Sequence, residues 1–309
     1  MKRRRIDSSS RAETALCVLL EHAERLDAHV FATFACVCKR LAAVQPRRSL
    51  VPAPEQAAAL YLRRGEAHVE RLLAQSVHRI DLSFTNVADV SALGAVHALF
   101  LRGNANIADV SALGGVHTLD LGRCRNIADV SALGSVHALD LSCTNVADVS
   151  ALGRVHTLNL GGCVNIADVS ALGGVHTLML GWCMNVSDVS ALGSVHTLDL
   201  SSCENITDVS ALGSVHMLNL SGCENVTDVS ALGSVHTLSL RFCRYIAGVS
   251  ALGGVHALDL GYTNVEDVSA LGGVHILSLD CCWHVEDVSA LGLVRRLTLA
   301  DSTVVERVS

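Results

Sequence analysis

Apolar and polar residues along most of this chain recur in one fixed order. From Ser91 onward the sequence repeats S-A-L-G-x-V-H-x-L-x-L-x-x-C-x-N-I/V-x-D-V, with serines at positions 91, 111, 131, 150, 170, 190, 210, 230, 250, 269, 289 and 309. A period of about twenty residues marks a solenoid. Each repeat fills its apolar slots as Val195, Leu198, Leu200, Ile206, Val209 and Leu212 do. Burying so few side chains does not offset the entropy of ordering a whole repeat, so one copy cannot fold alone and must stack on its neighbours. The segment V-H-x-L-x-L alternates at period two, which predicts a strand. Stacked coils then form one parallel sheet of about twelve strands between His78 and Leu299, curved and roughly 55 Å long at about 4.8 Å per strand. The segment D-V-S-A-L-G is too short for a regular helix. It predicts a helical turn on the convex side, with Asp or Ser capping its free N–H groups and Gly supplying the exit.

The pattern L-x-x-L-x-L-x-x-C-x-x-I resembles the leucine-rich repeat in an unusually short form, over residues 77–309. The resemblance implies an α/β solenoid with a parallel concave sheet. In that family the ninth position of the strand segment points into the coil and bonds the turning backbone. Here it holds Thr85, Asn104, Cys124, Thr144, Cys163, Cys183, Cys203, Cys223, Cys243, Thr263, Cys282 and Ser302. Small side chains with hydrogen-bonding capacity suit that position. Zinc does not, because its site would not accept Thr or Asn in place of Cys. The coils holding Thr85, Thr144 and Thr263 are one residue shorter, which predicts a tighter loop there. The Asn row is broken by Tyr245 and His284, and the Asp row by Gly248 and Arg307, as local wear of a structural device.

Half of the 309 residues are hydrophobic, yet no apolar run approaches the length that spans a bilayer, so a soluble protein is expected. The basic start MKRRRIDSSSR is not followed by an apolar stretch, which argues against a secretory signal. An intracellular location is expected, cytoplasmic or nuclear, with thiols reduced; Lys2-Arg3-Arg4-Arg5 reads as a solvated tail or an import signal. Most of the twelve cysteines follow the repeat period and form no paired C-x-x-C motif. Residues 1–71 carry 13 Lys/Arg against 8 Asp/Glu, leaving 10 against 22 in the remainder, so nucleic acid is not an expected partner.

Eleven repeats place His after the first strand Val, from His78 through His97, His117, His137, His156, His176, His196, His216, His236 and His256 to His275. Imidazoles about 4.8 Å apart would resist simultaneous protonation. Three readings stay open: a duplicated row bonded locally, a pH-responsive edge, and a metal ladder. The last is disfavoured because adjacent imidazoles lack further ligands.

Near-identical repeats make their departures informative. Four positions per coil face the concave side, and these carry Phe84, Phe100, Arg102, Arg123, Met179, Trp182, Arg241, Phe242 and Tyr262 among Ser, Thr, Gly and Asp. Aromatic and Arg anchors on a polar sheet are what a protein-binding surface requires.

Residues 1–11 read as a disordered tail, 12–44 as a small helical module, and 45–76 as a linker and a helix over Glu55–Ala74 that caps the sheet. The stretch LDAHVFATFACVCKRL, with Val18-Leu19-Leu20-Glu21 upstream, resembles an F-box, although the usual Leu-Pro opening and the late Trp are absent. The resemblance implies docking on a Skp-type adaptor through Val18, Leu19, Leu20, Leu26, Phe31, Phe34, Val37 and Leu41, and hence a substrate receptor of a cullin-type ubiquitin ligase. The alternative is a leucine-rich-repeat scaffold or effector whose N-terminal helices are a cap. No phosphate loop, nucleophile constellation or carboxylate pair stands outside the repeat background, so neither an enzyme nor a cofactor is expected.

Overall fold

The structure, a computed structural model, describes residues 78–306. The adaptor-docking set from Val18 to Leu41 and the helix expected over Glu55–Ala74 lie outside the described residues.

Twelve short strands run parallel: β1 (Arg79–Asp81), β2 (Ala98–Phe100), β3 (Thr118–Asp120), β4 (Ala138–Asp140), β5 (Thr157–Asn159), β6 (Thr177–Met179), β7 (Thr197–Asp199), β8 (Met217–Asn219), β9 (Thr237–Ser239), β10 (Ala257–Asp259), β11 (Ile276–Ser278) and β12 (Arg296–Thr298). Their order in the sheet is their order in the chain. Register is fixed by leucine: Leu178, Leu198 and Leu218 stand opposite one another at the centre of β6, β7 and β8. A slip of one residue would turn every such leucine outward. The regular strands are shorter than the alternating pattern suggested, but lateral backbone bonds extend past them, as from His216 N–H to the His196 carbonyl (3.1 Å) and from Ser202 N–H to the Ser221 carbonyl (2.8 Å).

The convex side is a row of single 3-10 turns, such as Ser190–Ser194 and Ser210–Ser214. The preceding Asp caps all of them by the expected route except the turn Ser250–Gly254, where Gly248 stands in its place; Oδ1 of Asp208, for example, accepts the Ser210 N–H at 2.9 Å. The expected role of the glycine is corrected. Gly94 has φ −64°, an ordinary right-handed conformation, so the turn does not need its backbone freedom. It needs the missing side chain: a Cβ on Gly193 would lie 2.4 Å from the Ala211 carbonyl oxygen of the next coil.

Between sheet and turns lies a dry core of Leu, Val and Ile, continuous from Leu82 to Leu297. The ninth-position row closes its loop side as expected. Cys203 Sγ donates to the Leu180 carbonyl of the previous coil (3.1 Å), and Cys163, Cys183, Cys223, Cys243 and Cys282 repeat the bond at 3.0 to 3.2 Å. In the shorter coils Thr85, Thr144 and Thr263 donate instead to the Leu carbonyl of their own coil, each at 2.7 Å. Asn104 satisfies both routes, its Nδ2 reaching the Leu82 and Leu101 carbonyls at 2.8 Å. Ser302 does not join the row: it is exposed and its hydroxyl donates to Asp280 Oδ1 at 2.7 Å.

One strand was not legible in the repeat. Beyond β12 the chain reverses through Ala300–Ser302, and β13 (Val304–Glu306) pairs antiparallel with β12, Leu297 opposite Val305. The polar cap expected from Arg295, Arg296, Glu306 and Arg307 is corrected in part. Arg307 lies outside the described residues, and this end also exposes Leu293 (82%), Val288, Val304 and Val305.

Candidate functional site

Residues rising from the sheet fall into rows, and the first finding concerns the polar ones. Asp199 Oδ1 accepts the N–H of Ser201 two residues on (2.9 Å), and Asn219 Oδ1 does the same for Ser221 (3.0 Å). Across the coils Asn219 Nδ2 donates to Asp199 Oδ1 (3.0 Å), and Asn159 Nδ2 to Asp140 Oδ2 (3.1 Å). Where this row holds Asp or Asn, the side chain thus holds the turn that follows the strand. Crowding in this row works against charge. Burial pushes the carboxyls of Asp199 and Asp259 up, and burial together with the neighbouring Asp140 carboxylate raises Asp120 to about 6.

A second row was not anticipated. The residue two places after the second strand leucine has a left-handed backbone in coil after coil: Phe84 (φ 58°), Arg123 (63°), Cys143 (57°), Trp182 (66°), Ser202 (56°), Phe242 (63°), Tyr262 (60°) and Cys281 (55°), with Gly103, Gly162 and Gly222 at 74° to 75°. The recurrence of Gly at this slot was the available sequence signal. Most of the large side chains selected from the sequence therefore stand on a sharp turn at the loop end of the sheet.

Two arginines cross this surface by one device. Arg241 reaches over the next coil to Asp280 in the coil beyond, Nη2 to Oδ2 2.7 Å, passing Asp259 at 3.7 Å. Between them Gly261 leaves the space, since a Cβ there would sit 2.4 Å from Arg241 Nη1. Arg102 lies likewise across Gly122, at 3.7 Å from Asp120 and 3.4 Å from Asp140. The two settings differ in burial: the side chain of Arg241 is nearly inaccessible, whereas that of Arg102 is about one-third exposed.

Around Arg241 the aromatic residues gather. The rings of Phe242 and Tyr262 stack with centroids 4.6 Å apart, and the Arg241 guanidinium lies 4.6 Å from the Tyr262 ring and 5.4 Å from that of Phe242. Arg241 Nε is buried and has no hydrogen-bond partner within the described residues. At the other end of the sheet the Arg79 guanidinium covers Phe100 at 4.2 Å.

The residues expected on the binding face therefore separate. Phe84 (70% exposed), Arg123 and Tyr262 (38%) are open to solvent, while Phe100, Arg102, Trp182 and Phe242 are half-buried. Met179 (8%) and Arg241 (5%) are corrected from exposed anchors to packed ones: neighbouring strands cover Met179, and Arg241 is held beneath its aromatic pair. Sequence reasoning passed over Asp259, Gly261 and Asp280, which look like ordinary repeat residues until Arg241 is placed above them. It also left out Tyr245 and Trp283 as binding residues, and both are exposed.

The histidine row is a continuous stack. From His97 to His275 successive ring centroids are 4.5 to 4.7 Å apart. Four rings touch a following threonine hydroxyl through Nδ1, as His196 does at Thr197 (3.2 Å). Partial burial, then the neighbouring imidazoles, hold His117, His176 and His236 below the usual histidine range. Among the described residues no group of three or more His, Cys, Asp or Glu could hold a metal ion.

No protein-family model and no curated relative matches this chain. Solved structures do. An internalin, InlF, from Listeria monocytogenes is 21% identical, with 80% of each chain covered and a TM-score of 0.58. The fold is that of a leucine-rich-repeat solenoid. A leucine-rich-repeat protein from Leptospira interrogans follows at 16% identity, 74% of each chain and a TM-score of 0.49. The functional domain of InlJ from L. monocytogenes, described as including a cysteine ladder, gives 18% identity and a TM-score of 0.40, over 74% of this chain and 68% of that one.

Proposed function

We propose that this chain is a protein-interaction scaffold that binds a protein ligand on the loop end of its sheet, centred on Phe242 and Tyr262. The observation that carries the reading is the stacked aromatic pair pinned by the Arg241–Asp280 bridge. Its two rings are held before a partner arrives, so binding them sacrifices little side-chain freedom, and rigid aromatic residues are where binding energy concentrates. Trp182 and Phe84 extend the same row toward the other end of the sheet. The chain is proposed to work inside the cell, in cytoplasm or nucleus, where its buried thiols remain reduced.

The test is capture with the full chain from cells, followed by titration of the recovered protein against the purified chain and a Phe242→Ala/Tyr262→Ala double variant. Truncating anchors of this kind costs about 2 kcal/mol or more, or roughly thirtyfold in Kd. Unchanged affinity in a folded variant would remove the pair from the binding surface.

A narrower reading, the substrate receptor of a cullin-type ubiquitin ligase, is supported by the F-box resemblance of residues 12–44. Co-expression with a Skp-type adaptor separates the two. Binding that is lost when Val18, Leu20, Phe31 and Phe34 are made polar would favour the receptor. No binding by the intact chain would leave the scaffold reading.

A further inference from the structure

Two exposed rows of opposite chemistry run the length of the solenoid. One is the stack of ten imidazoles from His97 to His275, all exposed except the half-buried His256. The other is the row of carboxylates at Asp89, Asp109, Asp129, Asp148, Asp168, Asp188, Asp208, Asp228, Asp267 and Asp287, all exposed. In each coil the histidine opens the strand and the aspartate opens the convex turn, so the rows occupy different corners of the coil.

Among the described residues no ion pair joins the histidine row to a carboxylate. The groups that face it are neighbouring imidazoles, the hydroxyls of Thr118, Thr177, Thr197 and Thr237, and at its C-terminal end Arg295. Every one is neutral or a potential cation. No carboxylate is among the groups acting on His117, His176, His236 or His256. On protonation the edge becomes a line of positive charge that an external anion must balance.

The aspartate row is held ready to be such an anion. Each Asp Oδ1 accepts the N–H of the serine two residues on, at 2.8 to 3.0 Å, which fixes the side chain. Both rows also share one repeat. A partner with a different spacing would drift out of register over ten coils. A second copy carries the same repeat, with its one-residue-shorter coils at the same places.

We propose that on mild acidification copies of this chain align side by side in parallel, the histidine row of one against the aspartate row of the next. A lateral translation relates such copies, so the contact is heterologous and open-ended. Protonation of the row switches it on, with His117, His176, His236 and His256 held below the usual histidine value by partial burial and neighbouring charges. It persists until the aspartates, which their serine bonds hold below 3.8, are themselves neutralised. This inference is independent of the binding face centred on Phe242 and Tyr262.

The test uses the full chain and two variants, one with all ten histidines of the row changed to Gln and one with all ten aspartates changed to Asn. Asn keeps the oxygen that accepts the serine N–H, and circular dichroism checks that both variants remain folded. Sedimentation velocity is run at about pH 7.5 and about pH 5, either side of the histidine range. The native chain should be a 32.5 kDa monomer at the higher pH and grow without limit at the lower. Each variant alone should stay monomeric. Their equimolar mixture at low pH should stop at a one-to-one complex of twice that mass, since only one complementary pair of faces remains. Raising salt to about 0.5 M, which shortens the screening length to about 4 Å, should dissociate it. Isoelectric precipitation, near pH 6.1 for the native chain, would not yield a soluble one-to-one complex from the equimolar mixture. A native chain that stays monomeric at about pH 5 overturns the proposal, as does self-association of either variant at native strength or failure of the mixture to pair. A monomeric native chain that instead co-sediments with phosphatidylserine vesicles at that pH also overturns it, in favour of a membrane surface.

Discussion

Gly122 and Gly261 offer one substitution in two settings. A methyl group on either must displace an arginine, since the added Cβ would lie 2.5 Å from Arg102 Nη1 or 2.4 Å from Arg241 Nη1. At Gly122 the guanidinium has somewhere to go. Arg102 is about one-third exposed and its ion pairs are 3.4 and 3.7 Å long, so Gly122→Ala should cost under about 1 kcal/mol. At Gly261 it does not. Arg241 is buried, bonded to Asp280 at 2.7 Å and packed on two rings. Removing one partner of a buried pair costs about 3 to 5 kcal/mol. Displacement retains part of the interaction, so Gly261→Ala should cost about 2 to 4 kcal/mol. Urea unfolding followed by circular dichroism gives the comparison at neutral pH. Because a repeat array can open from one end, amide exchange across Leu260–Cys282 should report the same loss locally. In an Arg241→Met background the methyl has less to displace, and its cost should fall below about 1 kcal/mol. Equal costs at the two glycines, or an undiminished cost without Arg241, would refute the claim that Gly261 exists to let the arginine pass.

Three further outcomes follow from the rows. Asp120 titrates at about 6 when folded against an ordinary 3.8, so its charge opposes folding above that range and the penalty fades as pH falls. Asp120→Asn should therefore stabilise the protein near pH 7.5, by at most about 3 kcal/mol, with the gain shrinking toward pH 4; a gain of the same size at both pH values would contradict this. Ser202 holds a left-handed backbone that Gly222 occupies in the next coil, and Ser202→Gly should raise the unfolding free energy by about 0.5 to 1 kcal/mol in urea titration. Of the nine described cysteines, a thiol reagent should modify the half-buried Cys143 and Cys281 in the folded protein, while buried Cys124, Cys163, Cys183, Cys203, Cys223, Cys243 and Cys282 react only on unfolding, as mass spectrometry would show.

The repeat by itself determined the parallel sheet, the convex turns and the row of histidines, and its resemblance to the leucine-rich repeat implied the inward ninth position. Each depends on residues within one coil and its immediate neighbours, so a period of about twenty residues carries the information. It also directed attention to Arg241, Phe242 and Tyr262 as departures from the repeat. What it did not decide was direction and company. Arg241 and Met179 looked like surface residues because every residue in their rows belongs to the same alternation. Only the packed structure shows that Arg241 spans two coils to Asp280 and that the glycine between them is what permits it. The left-handed row escaped for a related reason: Phe, Trp, Tyr, Arg and Ser are uncommon at positive φ, and only the lateral bonds of the stacked sheet hold them there. The antiparallel β13 likewise pairs across a turn that the repeat does not contain. Periodicity fixed what stacks on what, and tertiary packing decided which of the exceptional side chains remain available to a partner.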